Sequence, residues 1–395
     1  MAAWNEIGLK LQILRITQAL AGWCLSAMLL FVISMPLQAG NEQSPVLNQG
    51  EKWRVAYYQG GEYYDYYQYL KATTEGLMAQ GWISPATIPS EYSTTAQLWR
   101  WLVDHAQSDY LAFLADGFYS PEWDRHDREL LRPKVLERLR HNHEVDLLLA
   151  MGTWAGMDMA TDDHRVPTIV MSVSDPRGIG LLTEQGSLYS HLYVSEDPQH
   201  YERQVALFHD LIGFKTLGVA YENTLEGRSY ASIELIHRLA QERDFKVVSC
   251  FTQSDVNDQL AANTSVIDCF QVLAGQVDAI YVTAQGGVNN DTIPQLVHIA
   301  NQNSIPTFSQ YGQREVKMGY LMSLSQIEGY QREGKILSGV ASHILHGSSP
   351  ASLVKNRETI NGISLNLKTA EQIGLYLNAD LLAAVDHFFW QIEQP

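Results

Sequence analysis

The chain has 395 residues, 46% of them hydrophobic and 18% charged, so it is long enough to form two lobes with separate cores. Its formal net charge of −17 at pH 7 argues against binding to nucleic acid or to an anionic membrane, because both attract clustered Lys and Arg. The acidity itself identifies no ligand.

The N-terminus has the layout of a secretory signal peptide. Basic residues precede a stretch, 16–40, that carries no charge, and the small Ala39 fits a signal-peptidase site. We therefore predict a signal peptide over 1–39, a polar linker over 40–51 and a periplasmic mature protein. The alternative is an uncleaved membrane anchor, because an uncharged run of this length can span a bilayer.

Cleavage would remove Cys24 and leave Cys250 and Cys269. An oxidising compartment permits a disulfide between these two residues. The sequence does not show the distance between their Cα atoms, so a disulfide and two buried free thiols both stay open.

Strands and helices alternate along most of the mature chain. Strands are predicted, in chain order, over residues 53–58, 86–89, 145–151, 166–173, 187–194, 216–221, 245–251, 278–283, 306–309, 318–323 and 363–367. Helices are predicted up to residue 80, after Gly152, and over 94–107, 128–143, 200–212, 228–242, 266–275, 292–302, 326–347 and 379–392. Such alternation is typical of right-handed βαβ units and a mostly parallel sheet.

Two regions of the chain are predicted to be irregular. One strand is expected to lead the chain from the second lobe back to the first. An aromatic-rich insert occupies 116–126, and a loop containing Ser and Pro occupies 348–362. The strand at 318–323 is expected to return to the first lobe.

The apolar runs 145–151 and 166–173 are the strongest strand signals, since runs of this kind are covered on both faces of a parallel sheet. Gly152 permits a tight turn, and Thr153 is suited to capping the helix that follows. Ligands of open α/β sheets bind at the carboxyl ends of strands, so both runs should point into one cleft.

The order of these motifs resembles the periplasmic substrate-binding proteins of ABC transporters with the type I fold. The motifs are Gly-Thr at 152–153, Val-Pro-Thr-Ile-Val at 166–170, Ser-Asp-Pro at 174–176, and the segments 215–223, 277–282 and 362–375. The resemblance covers roughly residues 140–385. It implies an α/β, two-lobed, periplasmic-binding-protein type I-like fold, with each lobe a mostly parallel sheet flanked by helices.

The pattern also divides the mature chain into lobes. We assign the N-terminal lobe to 52–195, with 325–350 returning to it, and the C-terminal lobe to 196–324. Residues 351–395 add a closing strand and helix whose lobe stays open.

Motifs of common enzymes are missing from the sequence: it has no nucleophile elbow, zinc-protease helix, phosphate-binding P-loop or dinucleotide fingerprint. His141, His143 and Glu144 are the best metal candidates. They fall at a helix end, where two histidines two positions apart do not share a face. We predict a charged helix end there, and no catalytic residue, metal site or cofactor.

Tyrosines dominate the end of the first strand, where we predict ligand contacts from Tyr58, Gln59, Tyr63 and Tyr64. Tyrosine offers a large flat surface with one polar tip, which suits a planar or sugar-like ligand. The alternative is that these rings pack the first helix against the sheet.

The helix opening and the turn after the fourth strand carry further candidates. Thr153 and Trp154 lie where free N–H groups hold a ligand carboxylate, unless Thr153 is a plain N-cap. Asp175 suits a ligand amino group, or else caps its turn. The second lobe contributes residues that each follow a strand, and these are Asn223, Ser229, Thr283, Gln285 and Tyr311.

We predict an extracytoplasmic, monomeric solute-binding protein of an ABC-type uptake system that closes around a small amino-acid-like ligand. The proposed loop ends contain many aromatic rings and no Lys, which suits an aromatic body and suits a polyphosphate badly. Its partner would be a membrane permease. The alternatives are a ligand-sensing component that acts on a membrane sensor and, from another class, a secreted enzyme on the same scaffold.

Overall fold

The computed structural model describes residues 44–141, 144–197, 199–326, 329–354, 361–377 and 379–394. The predicted signal peptide and His143 lie outside these residues. Over the described ranges, no helix combines the length and apolarity needed to cross a membrane.

A five-stranded parallel sheet with strand order β2-β1-β3-β4-β7 forms the first lobe. The first-lobe strands are β1 (Trp53–Gln59), β2 (Leu111–Tyr119), β3 (Leu147–Met151), β4 (Thr168–Met171), the hairpin strands β5 (Leu182–Thr183) and β6 (Gly186–Ser187), and β7 (Leu192–Val194). Its helices are α1 (Tyr64–Ala79), α2 (Thr95–Asp104), α3 (Arg125–Arg140) and α4 (Gly152–Met159).

Both faces of the first sheet are buried. Successive strand residues point to opposite faces, so neighbours in one strand belong to different cores. Along β1, Val55 and Tyr57 join a core with α1 and α2, whereas Ala56 and Tyr58 join a core with α3 and α4. This explains why the strands read as continuous apolar runs.

A seven-stranded sheet with order β14-β13-β12-β11-β10-β8-β9 forms the second lobe, and β12 and β13 are its antiparallel pair. The second-lobe strands are β8 (Thr216–Tyr221), β9 (Lys246–Phe251), β10 (Ala279–Val282), β11 (Thr307–Ser309), β12 (Met322–Gln326), β13 (Asn361–Asn366) and β14 (His387–Phe389). The remaining helices are α5 (His200–Ile212), α6 (Leu225–Tyr230), α7 (Ile233–Arg243), α8 (Gln259–Ala274), α9 (Ile293–Gln302), α10 (Gln313–Lys317), α11 (Gly329–Leu345), the 3₁₀ turn Pro350–Leu353, α12 (Leu367–Gln372) and α13 (Ala379–Ala384).

The chain crosses between the sheets after β7, after β12 and after α11. Helix α11 packs on α1 in the first lobe, although β12 before it and β13 after it belong to the second sheet. At Gly334 the two helices approach so closely that a Cβ atom would overlap the Ala72 backbone.

One strand of the first lobe was predicted at the wrong position. No strand forms at 86–89. Strand β2 instead covers 111–115, for which no element was predicted, and the start of the segment predicted as the aromatic insert, 116–119. Because β2 is an edge strand interrupted by Asp116 and Gly117, most of it is only half-buried, and its pattern is weak.

Two predictions near the C-terminus are also wrong. The strand expected at 318–323 to enter the first lobe forms as β12, which pairs with β11 and β13 in the second sheet. The helix expected over 379–392 ends at Ala384, and the aromatic run that starts at His387 pairs with β13 as β14. Aromatic residues favour strands, and β13 offers an edge for pairing.

A disulfide joins Cys250 at the end of β9 to Cys269 in α8, with Cα atoms 5.6 Å apart. It ties the edge strand of the second sheet to the helix that covers it. This resolves the alternative that the sequence left open.

Candidate functional site

Residues that follow the carboxyl ends of strands in both sheets meet at an interface between the lobes, which we call the cleft. Five aromatic rings form a connected group in it, which we call the aromatic cluster. Its members are Tyr63, Tyr66, Trp123, Trp154 and Tyr311.

Within the aromatic cluster, Tyr63 lies 5.4 Å from Tyr66 and, across the cleft, 5.8 Å from Tyr311, measured between ring centroids. Trp123 lies 6.2 Å from Tyr66 and 5.5 Å from Trp154. The edge-to-face angles of most of these pairs match the favourable geometry of aromatic contacts.

The glycine pair after β1 explains how Trp123 reaches the cleft. A Cβ atom on Gly60 or Gly61 would lie 2.6 or 2.5 Å from the Trp123 ring, so only glycine allows the indole to lie against this backbone. The Trp123 amide donates to the Gly60 carbonyl at 2.8 Å, and the residue has a φ of 61°. Such a conformation persists only where its surroundings enforce it.

Three polar groups of the aromatic cluster are buried without a hydrogen bond of normal geometry. They are the hydroxyls of Tyr63 and Tyr311 and the indole N–H of Trp154. Burial raises the pKa of both tyrosines well above the ordinary value, so each hydroxyl keeps its proton. Buried donors normally find an acceptor, and the nearby acceptors here are the Tyr311 hydroxyl for Tyr63, Asp65 for Tyr311 and Asp255 for Trp154.

Two cations lie over the Trp154 ring. The Arg128 guanidinium is 4.5 Å from the ring centroid, and that of Arg125 is 5.2 Å away. These cations take up part of the flat surface of the indole ring.

Ion pairs connect the lobes beside Trp154. Arg128 on α3 binds Asp158 of its own lobe through two bonds of 3.0 Å and Glu226 on α6 at 2.8 Å. Arg125 reaches Glu222 at 3.1 Å. Burial alone would raise the pKa of Glu226, but the bond and charge of Arg128 lower it below the ordinary value.

Three buried carboxyl groups also lie near the cleft. Burial raises the pKa of Asp65 to about 6 even though the Tyr330 hydroxyl binds it. Burial likewise raises the pKa of Glu315 to about 7, with the Ser309 hydroxyl 2.6 Å away. For Asp255, burial and the neighbouring Glu222 raise the pKa to about 7.

Among the residues predicted from the sequence, Tyr63, Trp154 and Tyr311 thus come together. Tyr64 lies at the rim of the cleft, with the Arg314 guanidinium 4.5 Å from its ring centroid. The Ser229 hydroxyl donates to the Asp175 carbonyl of the other lobe at 3.3 Å.

Asp175 has the turn-capping role that the sequence left open, whereas Thr153 does not have the N-cap role. The Asp175 carboxylate accepts from the Gly178 amide at 2.8 Å and so caps its own turn. Thr153 lies inside the first turn of α4 and is not the N-cap, which is Met151 and provides no side-chain cap.

Five other predicted contacts are engaged within a single lobe. The Tyr58 hydroxyl donates to Asp158 at 2.6 Å in the core, and Gln59 accepts from Tyr57 and Thr95. The other three belong to the second lobe: Thr283 and Gln285 both donate to the Ala220 carbonyl, and the exposed Asn223 accepts from Arg228.

A family model for ABC transporter substrate-binding proteins matches residues 132–388. The chain belongs to this family. Its proteins bind small ligands and interact with ABC permeases, and the class is not catalytic. A search of the curated proteins gave no match.

Solved structures share the fold of this substrate-binding protein at low sequence identity. An ABC domain from Streptococcus pneumonia in complex with L-Trp is 17% identical, with a TM-score of 0.64, over 86% of this chain and 100% of that one. A conserved domain protein from Vibrio cholerae is 19% identical with the same TM-score and coverage. A ligand-free, open substrate-binding protein with adhesive properties from Clostridium difficile is 18% identical with a TM-score of 0.53, over 86% and 100%.

Sequence reasoning missed several cleft residues of this binding protein. Asp255 follows the strand β9. The other second-lobe candidates were chosen because each follows a strand, and the same criterion would have selected Asp255. Trp123 belongs to the aromatic-rich insert, and Tyr66 lies in the tyrosine run. No local pattern marks the pairing of Arg128 with Glu226.

A separate cavity of about 240 Å³ is lined by Arg177, Leu182, Glu184, Gln185, Gly186, Glu196 and Val354. Arg177 pairs with Glu196 at 2.5 Å and with Glu184 at 3.0 Å, so the charged groups of this cavity bind one another.

Proposed function

We propose that this protein captures a small amino-acid-like ligand, in particular an aromatic one, between its two lobes for an ABC-type uptake system. The two sheets would mark the lobes predicted as 52–195 and 196–324, with 325–350 returning to the first. The closed protein would then dock on a membrane permease. Ligand favours closure because it contacts both lobes only in the closed state.

One observation carries this proposal: the aromatic cluster spans both lobes and contains three buried donors that make no hydrogen bond of normal geometry. Tyr63 comes from the first lobe and Tyr311 from the second, so an acceptor-bearing ligand between them would join the lobes. The complex of the Streptococcus pneumonia domain with L-Trp supports an aromatic amino acid as the first ligand to test.

The start of α4 suits the carboxylate of such a ligand. The N-cap residue Met151 contributes no side-chain hydrogen bond, and the first turn contains no acidic residue. N–H groups at a helix start favour an anion without any Arg or Lys.

Replacing Tyr63 or Tyr311 with Ala tests the proposed site. Each change removes a ring and a donor from the cleft, so we expect L-Trp binding to weaken by about 1–3 kcal/mol. Isothermal titration calorimetry measures the effect. Tyr376, which is 87% exposed, provides the control Tyr376→Ala with unaltered affinity.

Unchanged affinity in both cleft variants would show that the aromatic cluster only packs the structure and does not bind the ligand. Native mass spectrometry of protein purified without added ligand would then identify any other bound compound.

Localisation gives a separate prediction. The uncharged stretch that ends at Ala39 predicts export and a mature N-terminus at Gly40. N-terminal sequencing of the periplasmic protein checks this. Recovery of chains that begin at Met1 in the membrane fraction would instead support the anchor.

A further inference from the structure

Asp255 is a buried acidic residue that the proposed function has not yet used. It follows β9 on the second-lobe side of the cleft and is 9% exposed. Its backbone N–H donates to Glu222 at 2.8 Å, and the Ser254 hydroxyl lies 3.3 Å from its Oδ1 atom. Neither contact supplies a positive charge.

The charges around Asp255 are mostly negative. Glu222, after β8, and Glu226, on α6, both raise its pKa, whereas Arg125 on α3 lowers it. Arg125 is already paired with Glu222, and Arg128 is paired with Glu226 and Asp158. A buried carboxylate without a cation of its own is unfavourable, and an incoming cation relieves this.

A second observation lies directly beside this carboxyl group. The Trp154 indole N–H is close enough to lower the Asp255 pKa but makes no hydrogen bond of normal geometry, although Trp154 is only 2% exposed. From the first lobe, the Tyr66 phenol is close enough that the Asp255 charge raises its pKa, after the larger effect of burial. The contacts agree with this position: Asp255 binds Glu222, Glu222 binds Arg125, and Arg125 lies over the Trp154 ring, so Asp255 lies at the aromatic cluster.

Asp65, the other buried aspartate of the cleft, differs from Asp255 in its partners. The Tyr330 hydroxyl binds it, and the nearby Arg314 lowers its pKa. It already has a donor and a cation, so it has less need of a positively charged ligand group.

We propose that Asp255 binds the ammonium group of the ligand, with Trp154 and Tyr66 flanking it. The proposal rests on the proposed function, since it places the ligand in the same cleft. It restricts the ligand to compounds with a protonated amine, and it treats an aromatic acid without an amine as a poor ligand.

Matched indole compounds test the assignment. L-Trp carries both charges, tryptamine carries only the ammonium, and indole-3-propionate carries only the carboxylate. By calorimetry at pH 8, the wild-type protein should bind L-Trp and tryptamine and reject indole-3-propionate. Asp255→Asn should weaken binding of both amines at least tenfold.

The exposed Asp268 provides the matched control, because Asp268→Asn makes the same chemical change outside the cleft and should leave both affinities unaltered. Thermal denaturation checks folding. Asp255→Asn should melt no lower than the wild type at pH 8, since it removes a buried charge.

A pH series separates charge recognition from simple packing. The amine of tryptamine stays protonated between pH 5.5 and 8, whereas unliganded Asp255, with its pKa raised to about 7, ionises within this range. Wild-type affinity for tryptamine should therefore rise with pH. Asp65 and Glu315 also ionise in this range, so the affinity of Asp255→Asn should rise clearly less than that of the wild type.

Binding of indole-3-propionate as tight as that of tryptamine would overturn the assignment. So would equal amine affinity in wild type and Asp255→Asn, or the failure of both amines to bind. A co-purified ligand without a basic nitrogen, identified by native mass spectrometry, would reject the ammonium assignment while leaving solute capture between the lobes supported.

Discussion

Replacing Arg128 with Met should lower the free energy of unfolding by about 3 kcal/mol, because it removes the nearest cation from two buried carboxylates. Only the longer contacts of Arg132 with Asp158, at 3.4 Å, and of Arg125 with Glu226, at 3.9 Å, then remain. Asp158 and Glu226 both bind this guanidinium, and their side chains are 6% and 9% exposed. The change also removes the cation above Trp154. Thermal or denaturant unfolding measures the loss, and small-angle scattering should show lobes that separate more readily.

Arg125→Met is the matched control on the same helix. The Arg125 side chain is 45% exposed, against 14% for Arg128, although Arg125 also reaches across to Glu222. Solvent screens an exposed pair, so this variant should lose about 1 kcal/mol or less. Equal losses in the two variants would contradict a special role for the buried pair.

The Arg128 effect should also depend on pH. The pKa of folded Glu226 is below its ordinary value of 4.5, so the stability gained from its pairing is present above that value. This stability is lost as the pH falls through the pKa of Glu226 in the folded protein. The difference between wild type and Arg128→Met should therefore shrink in acid.

Replacing Gly152 with Ala should both destabilise the first lobe and weaken ligand binding. The residue has a φ of +83°, and an added Cβ would lie 2.5 Å from the Tyr66 Cζ atom and closer still to its hydroxyl. The backbone conformation costs about 1–2 kcal/mol for a residue other than glycine. Displacing the packed Tyr66 ring adds about 1–3 kcal/mol.

Gly180→Ala isolates the backbone contribution to this prediction. Gly180 has a φ of +75° in the same lobe, and nothing lies within 4 Å of the position of an added Cβ. The Gly180→Ala variant should lose only the stability that depends on the backbone conformation, and it should keep full affinity for L-Trp. If both alanine variants melt and bind alike, Tyr66 does not depend on Gly152 for its position.

The alternation of strands and helices could be predicted because each element carries its own periodicity. Helix α5 and strand β8 form over the residues predicted for them, and the motif order identified the family. Edge strands were harder to predict: β2 and β14 bury less surface, so their apolar patterns are weaker than those of β3 and β4.

Individual ligand contacts were less predictable than the strands that position them. A residue at a strand end turns toward the cleft or the core according to its neighbours, and Tyr58 and Tyr63 show the two outcomes. The Tyr58 hydroxyl meets Asp158 in the core, whereas Tyr63 contacts Tyr311 across the cleft. Asp158 and Tyr311 are distant in the sequence, so no local pattern indicates either contact.

The sequence by itself determined the fold class and the family, since these follow from periodicity and motif order within short stretches. The tertiary structure decided how the charges are matched. Asp158 and Glu226 share Arg128, whereas Asp255, an equally ordinary residue in the sequence, is buried without a cation of its own. Charge compensation depends on distances between side chains from different elements, and only the folded chain sets those distances.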